Sequence, residues 1–419
     1  MRNRLLIFLS QQLPTRVRRK LNELKSPATA TRTIVSQPPA LLGISDDLPQ
    51  GLAAKRALVM FRPDIWLTAR SQYPNIKLYN QNGFIFSLVR ALNECGFIVD
   101  LVDAQSDHQP DVKYDLFIGH GGHCMRFLDS QSQGVPVYQY ISGLHWKAFV
   151  TESDERYERF FPRKGLTKPI IHRRSIAEHI KGQELLDRRT DVMFTIHCPR
   201  MVAAYGEYAS KFHFTGLGAY LDELFIVPPE QKDFDVGRKN FIYVGGTGGN
   251  IQKGLDLLIE AFQQTPELNL YIYCKVEEEI LKHCRKELAS PNIHYIYYWK
   301  YLPFHKRLRK LLTQTNFSVH APMNIGIGTA FMASMGSGLI PVGYVDLADP
   351  GECAVLTDSW QVDSLVECIR RASSMPTEWC RAASGLAREY YAKHCDPAQV
   401  ERNFKEMFES VAQKGESTQ

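Results

Sequence analysis

The strongest constraint on this chain is a pattern that runs twice. Short apolar runs of strand length alternate with amphipathic segments in the amino-terminal half, and the alternation restarts after a polar break. The first set holds "RALVMF" from Arg56 to Phe61, "GFIVDLV", "YDLFIGHGG" from Tyr114 to Gly122, "GVPVYQYISG" and "DVMFTIH" from Asp191 to His197. Phe86, Leu88, Val89 and Leu92 recur at helical spacing behind Asn82-Gly83, which reads as a turn. The second set holds "NFIYVGG", "LNLYIYC", "NIHYIYY" and "NFSVHAP", separated by "KGLDLLIEAFQQ", "EEEILKHCRKEL" and "HKRLRKLLTQ". Apolar runs of this length, separated by helical patterns, imply βαβ units and parallel sheets. The expected class is therefore α/β, with two doubly wound Rossmann-like domains.

A chain of 419 residues suits two domains of ordinary size. Residues 1–54 read as a basic segment followed by a Pro-, Ser- and Thr-rich linker or wrapping stretch. The first Rossmann-like domain is expected over 55–225, a polar, proline-bearing linker over 226–239, the second domain over 240–396, and a helix and tail over 397–419.

Composition closes off several classes. With 44% hydrophobic and 23% charged residues, disorder does not dominate. A net charge of +5 is mild for this length and does not argue for nucleic-acid binding. Nine cysteines, an odd number without a CxxC pair, read as reduced thiols of a cytoplasmic protein rather than as zinc ligands. No stretch approaches the roughly 20 apolar residues of a membrane span, and "LLIFL" is too brief for a signal-peptide core. Residues 2–25 carry Arg2, Arg4, Arg16, Arg18, Arg19, Lys20 and Lys25 against one Glu23, with Val17, Leu21 and Leu24 at helical spacing. Two readings stay open for this segment: a peripheral contact with an anionic membrane surface, or a solvated tail, with Pro14 interrupting any continuous helix.

In open α/β sheets, ligands collect at the carboxyl ends of strands, in the loops before helices. Three such loops carry suggestive chemistry. "VGGTGGNIQKG", Val244 to Gly254, joins a strand to a helix through bare amides and adds the charge of Lys253, a combination that suits phosphate as well as a tight unliganded turn. It is neither a Walker loop nor GxGxxG, since Gly254 follows the lysine. "HAPMNIGIGTAFMASMGSG" places Gly326 and Gly328 where a ligand approaches the amino terminus of a helix starting near Gly328-Thr329. "YNQNGFIFSL" sets Gly83 before another helix, with Asn80 and Asn82 as hydroxyl partners or as caps. His120, His123, His145 and His197 fall at or just past expected strand ends, each a candidate base or an ordinary structural histidine. The strip from Tyr295 to Tyr301 stacks a base or fills the core. No HExxH, DxD or Ser/His/Asp order is present, and no metal site is expected.

The order and spacing of these loops resemble GT-B glycosyltransferases, especially the large retaining family 4 group. The blocks that carry the resemblance are "FIYVGGTGGNIQKGLDLLIEAF" and "FSVHAPMNIGIGTAFMASMGSGLIPV" on the donor side, and "NGFIFSLVRALNECGFIVDLV", "YDLFIGHGG", "GVPVYQYISGLH" and "TGLGAYLDELFIVP" on the acceptor side, covering roughly residues 56–410. The resemblance implies a nucleotide sugar in a cleft between two facing domains. Lys253 matches the lysine that neutralises the donor diphosphate. Gly328 and Thr329 match the helix start whose amides hold its phosphates, and Gly83 matches the acceptor-side glycine that closes over them; Gly246, Thr247 and Gly326 are expected to add donor-binding amides. Asn82 and His197 are expected on the acceptor side, and no cofactor or metal is implied, since amides and cations stabilise the leaving group. The chain departs from the family at four places. Gly246 stands where an arginine is common, Ile325 and Ala333 replace the paired glutamates, and Ser142 falls near the usual histidine, with His145 shortly after.

The leading expectation is an enzyme that moves a hexosyl group from a nucleotide sugar to a glycan or lipid-linked acceptor, in polysaccharide or glycolipid synthesis. If configuration inverts, His120 or His145 supplies the base. The missing glutamates support a second reading, a GT-B-shaped binding or scaffold module without catalysis. A sugar-nucleotide epimerase is a third, which the basic amino terminus fits less well.

Overall fold

The computed structural model describes residues 40–50, 54–72, 81–103, 112–128, 134–142, 145–165, 182–195, 199–216, 225–245, 249–297, 303–322, 329–344 and 350–416. The basic segment 2–25, with its expected membrane face, lies outside them. Among the described residues no helix is long and apolar enough to cross a membrane.

Two sheets form. The first contains β1 (Ala40–Ile44), β2 (Lys55–Met60), β3 (Phe97–Val102), β4 (Leu116–Gly119), β5 (Val137–Tyr140), β6 (Val192–Thr195) and β7 (Phe212–Phe214), in the order β1-β3-β2-β4-β5-β6-β7. All its pairings are parallel except β1 with β3. The second contains β8 (Asn240–Val244), β9 (Asn269–Cys274), β10 (Ile293–Tyr297), β11 (Phe317–His320), β12 (Ile340–Gly343) and β13 (Val355–Leu356), wholly parallel, in the order β10-β9-β8-β11-β12-β13. Crossover helices cover both faces of such sheets, which is why β4, β5 and β11 are buried end to end and read as unbroken apolar runs. Strand order reverses between β2 and β4 in the first sheet and between β8 and β11 in the second.

The helices that position the site are α1 (Pro63–Gln72), α2 (Gln81–Glu94), α3 (Trp146–Arg163), α4 (Leu255–Gln263), α5 (Glu278–His283), α6 (Pro303–Thr313), α7 (Thr329–Gly336), α8 (Val362–Ser374), α9 (Thr377–Cys395) and α10 (Pro397–Glu416). Three placements differ from the sequence expectation. β1 lies inside the stretch expected to be linker, because Ala40, Leu41 and Ile44 pair antiparallel with the exposed edge of β3. The expected linker 226–239 is packed rather than free. Phe234 joins the second core, and the fully buried Lys232 donates to the carbonyls of Leu312 (3.0 Å) and Thr315 (2.9 Å) at the end of α6. Burial pushes the Lys232 ammonium down to about 7.

The third difference is α3. It leaves the carboxyl end of the first sheet, yet Phe160 and Phe161 are buried with Phe241, Leu255 and Leu258 in the core of the second sheet. Tyr157 packs on the same cluster, Arg159 lies over Trp360, and Lys164 pairs with Glu287 at 3.0 Å. In the opposite direction α10 crosses back: Val400, Phe404, Met407 and Phe408 join the first core beside α2. Two helices thus cross between the halves, each burying an apolar stripe in the partner core.

Candidate functional site

At the reversal point of the first sheet, Phe61 directly follows β2 and His120 directly follows β4. The two rings lie 6.3 Å apart, and Tyr140 at the end of β5 lies 5.3 Å from the imidazole. His120 Nε2 is hydrogen-bonded to Ser142 Oγ at 2.9 Å, and the His120 amide donates to Cys124 Sγ at 3.3 Å. Gly83 sits beside this group rather than before its helix: α2 starts at Gln81, so Gly83 falls in the first turn. The ring of the next residue, Phe84, packs 6.2 Å from Phe61 and 4.2 Å from Tyr140. First-turn amides have no acceptor within their own helix, so Gly83 still offers a donor at the carboxyl edge of the sheet. Asn82 shares that turn; its side chain, and all of His197, lie outside the described structure.

His145 is placed differently. It caps α3, with Nδ1 accepting from the Lys147 amide at 3.4 Å. Its Nε2 faces the buried Asp187 carboxylate at 3.5 Å. Gln183 donates to the other oxygen of Asp187 at 2.7 Å, and Tyr205 meets the imidazole edge-on at 5.0 Å. His145 is therefore committed to the start of α3 through Nδ1, whereas His120 reaches across the strand ends to Ser142. The imidazole at that corner comes from β4, one strand over from the position on the β5 side where the family's histidine was expected.

At the reversal point of the second sheet, the glycine turn after β8 meets the end of β11. Gly254 has φ +72°, and a Cβ there would collide with the carbonyl oxygen of Ala321. Only glycine permits both the backbone conformation and this approach. The contact holds the turn, and the α4 amino terminus that follows it, against the end of β11 from which the chain runs on toward α7. Lys253 lies in this turn, its amide donating to the Gly249 carbonyl at 2.9 Å. Burial lowers its ammonium from the ordinary range, while Cys274 and Glu277 act in the opposite direction. Thr329 opens α7. Gly246, Thr247, Ile325, Gly326 and Gly328 lie outside the described residues.

The Gly249 amide, one of those expected to hold phosphate, donates instead to Glu277 Oε1 at 2.6 Å, and the Ile251 amide donates to Oε2 at 3.1 Å. Glu277, on the loop between β9 and α5, was not singled out by the sequence, where it opens a run of three glutamates. Among the described residues no three metal-ligating side chains cluster.

Comparison with solved structures decides the architecture. Sucrose-phosphate synthase from Thermosynechococcus elongatus superposes with a TM-score of 0.58 at 12% identity, over 86% of this chain and 100% of that one. The fold is that of the GT-B glycosyltransferases. Two looser matches are a TarM variant from S. aureus (TM-score 0.48, 12% identity, 70% of this chain and 55% of that one) and alpha,alpha-trehalose 6-phosphate synthase from Burkholderia multivorans (0.45, 13%, 84% and 81%). The chain thus spans about half the length of TarM. No protein-family model matches the sequence, and no curated protein matches it.

Within the GT-B frame, Ala333 is only 6% exposed. It lines an apolar cavity with Phe225, Ile242, Val244 and Leu308. A glutamate at this position would bury its carboxylate among hydrocarbon, at a cost of several kcal/mol unless paired. Alanine fits this apolar lining, at the position where the resemblance implied a glutamate.

Proposed function

We propose that this protein transfers a hexosyl group from a nucleotide sugar to a glycan or lipid-linked acceptor, in polysaccharide or glycolipid synthesis. The observation that carries the reading is the Gly254–Ala321 contact, which holds the lysine-bearing turn against the end of β11 at the reversal point of the second sheet. Lys253 and the α7 amino terminus at Thr329 meet the departing diphosphate there, with Gly246, Thr247, Gly326 and Gly328 lending amides. Charge that develops on the leaving group is then stabilised without a metal or other cofactor. Gly83 approaches the donor from the other domain, with Asn82 and His197 on the acceptor side.

If the reaction inverts configuration, His120, with Ser142 fixing its orientation, takes the acceptor proton; if it retains, the diphosphate itself takes it. His145 serves by holding α3. Residues 2–25 bring the enzyme, from the cytoplasm, to an anionic membrane surface where a lipid-linked acceptor resides.

Calorimetric titration with UDP, GDP and their sugars tests the donor reading. Binding of one nucleotide sugar, with hydrolysis or transfer, is the expected result. The apolar cavity around Ala333 favours the second reading, a GT-B-shaped module without catalysis; absence of binding to every nucleotide would establish that reading instead.

A further inference from the structure

The glycine turn is already occupied by an anion, and the anion belongs to the protein. The two oxygens of Glu277 accept from the amides of Gly249 and Ile251 at 2.6 and 3.1 Å, as a phosphate does in an amide nest. The bond is returned: the Glu277 amide donates to Asn250 Oδ1 at 2.9 Å, and Asn250 is fully buried. Turn and loop, 27 positions apart, are therefore locked at three points. Lys253 belongs to the same unit, since its amide closes on the Gly249 carbonyl and its Cε lies 4.0 Å from where a Gly249 Cβ would stand.

We propose that Glu277 is a positioning residue for Lys253: its carboxylate fills the amides of the turn, fixes the path of the lysine, and sets a formal negative charge on the turn that carries it. The consequence for the donor rests on the function proposed above. The lysine side chain, rather than the amides of Gly249 and Ile251, then meets the diphosphate, and the phosphate-binding amides are the others named above together with those of α7 and the α2 turn.

The electrostatics agree with the geometry. Burial works against the charge on Lys253, while Cys274 from β9 and Glu277 act in its favour. The Cys274 thiol is itself pushed up to about 12 by burial and carries no charge at neutral pH. Tyr157 of α3 and Tyr243 of β8 face Glu277, and both phenols are raised by burial. Glu277 is thus a formal negative charge that favours the lysine ammonium.

The experiment is competitive amine labelling of the full chain across a pH series, read by mass spectrometry at Lys253. In Glu277→Gln the labelling midpoint of Lys253 falls by about one pH unit, while other lysines keep theirs; an unchanged Lys253 midpoint overturns the proposal. If Glu277→Gln does not fold, Glu277→Asp, which withdraws the carboxylate by one methylene, must show the same downward shift in smaller measure. UDP titration supplies the second arm. Glu277→Gln weakens UDP binding about tenfold, and the loss does not add to that of Lys253→Met; tighter binding in Glu277→Gln would mean that the carboxylate competes with phosphate, and would sink the positioning role. If the wild-type chain binds no nucleoside diphosphate, the donor reading fails alone, because the labelling shift still decides the coupling of Glu277 to Lys253.

Discussion

Arg156 of α3 and Asp256 of α4 form an ion pair in which neither side chain is exposed to solvent. They lie 100 positions apart, on a helix that follows the first sheet in the chain and on one that belongs to the second. Among the described residues Arg156 Nε and Nη1 and Asp256 Oδ2 have no hydrogen-bond partner, so the pair is desolvated without being fully satisfied there. Breaking such a pair on one side strands the other charge, at a cost of about 3–5 kcal/mol, whereas replacing both by apolar groups is often neutral. Chemical denaturation should therefore show Asp256→Ala strongly destabilised, and Arg156→Met with Asp256→Leu close to wild type. A double mutant as unstable as the single one would show that the pair does more than neutralise itself.

Gly254 carries two constraints at once, and Gly351 carries one. Both have positive φ, but nothing lies within 4 Å of a Cβ at Gly351, while Ala321 blocks one at Gly254. Gly351→Ala should cost about 1–2 kcal/mol for the left-handed backbone alone. Gly254→Ala should cost clearly more and should also weaken nucleotide binding, because the turn must move off β11. Equal losses of stability in the two variants would remove the close approach from the account.

Lys253→Ala is expected to lower transfer by about 100-fold or more, as loss of one preorganised electrostatic group does. Its melting temperature should stay near that of the wild type. Near-normal transfer by a folded Lys253→Ala protein would take the lysine out of the mechanism.

His320 ends β11 with its ring buried edge-on against Phe331 at 4.9 Å, and among the described residues its Nε2 has no hydrogen-bond partner. Burial lowers it from 6.5 to about 3. Between those values the unfolded chain binds a proton that the folded chain refuses, so stability falls as pH drops below 6.5 and this contribution to the fall ends near 3. The slope is at most about 1.4 kcal/mol per pH unit. In acid denaturation followed by circular dichroism, His320→Phe should lose this part of the pH dependence; an unchanged profile would place the acid sensitivity elsewhere.

Much of the architecture was legible in the sequence because a parallel sheet buried on both faces leaves an apolar run at every strand. "YDLFIGHGG" and "NFSVHAP" became β4 and β11 for that reason. β1 escaped because it is a short edge strand among prolines and serines, and its partner on β3 is more than 50 positions away. α3 escaped because "TESDERYERFFPR" reads as a charged surface. Its one internal signal was Arg156, Tyr157, Phe160 and Phe161 on a single helical face, and nothing local says which core that face enters.

The site divides the same way. Lys253, Gly254, Gly83 and Thr329 could be named from the sequence, since strand-to-helix junctions with glycine are local patterns. That His120 rather than His145 reaches the strand-end corner was decided by tertiary structure, through an Nδ1 bond that commits His145 to capping α3. The choice of Glu277 from three adjacent glutamates was decided there too. Periodicity and turn chemistry act over a few residues, and the sequence determines them directly. The meeting of Glu277 with Gly249, or of Arg156 with Asp256, depends on where the folded path brings distant chain together, and only the tertiary structure decides that.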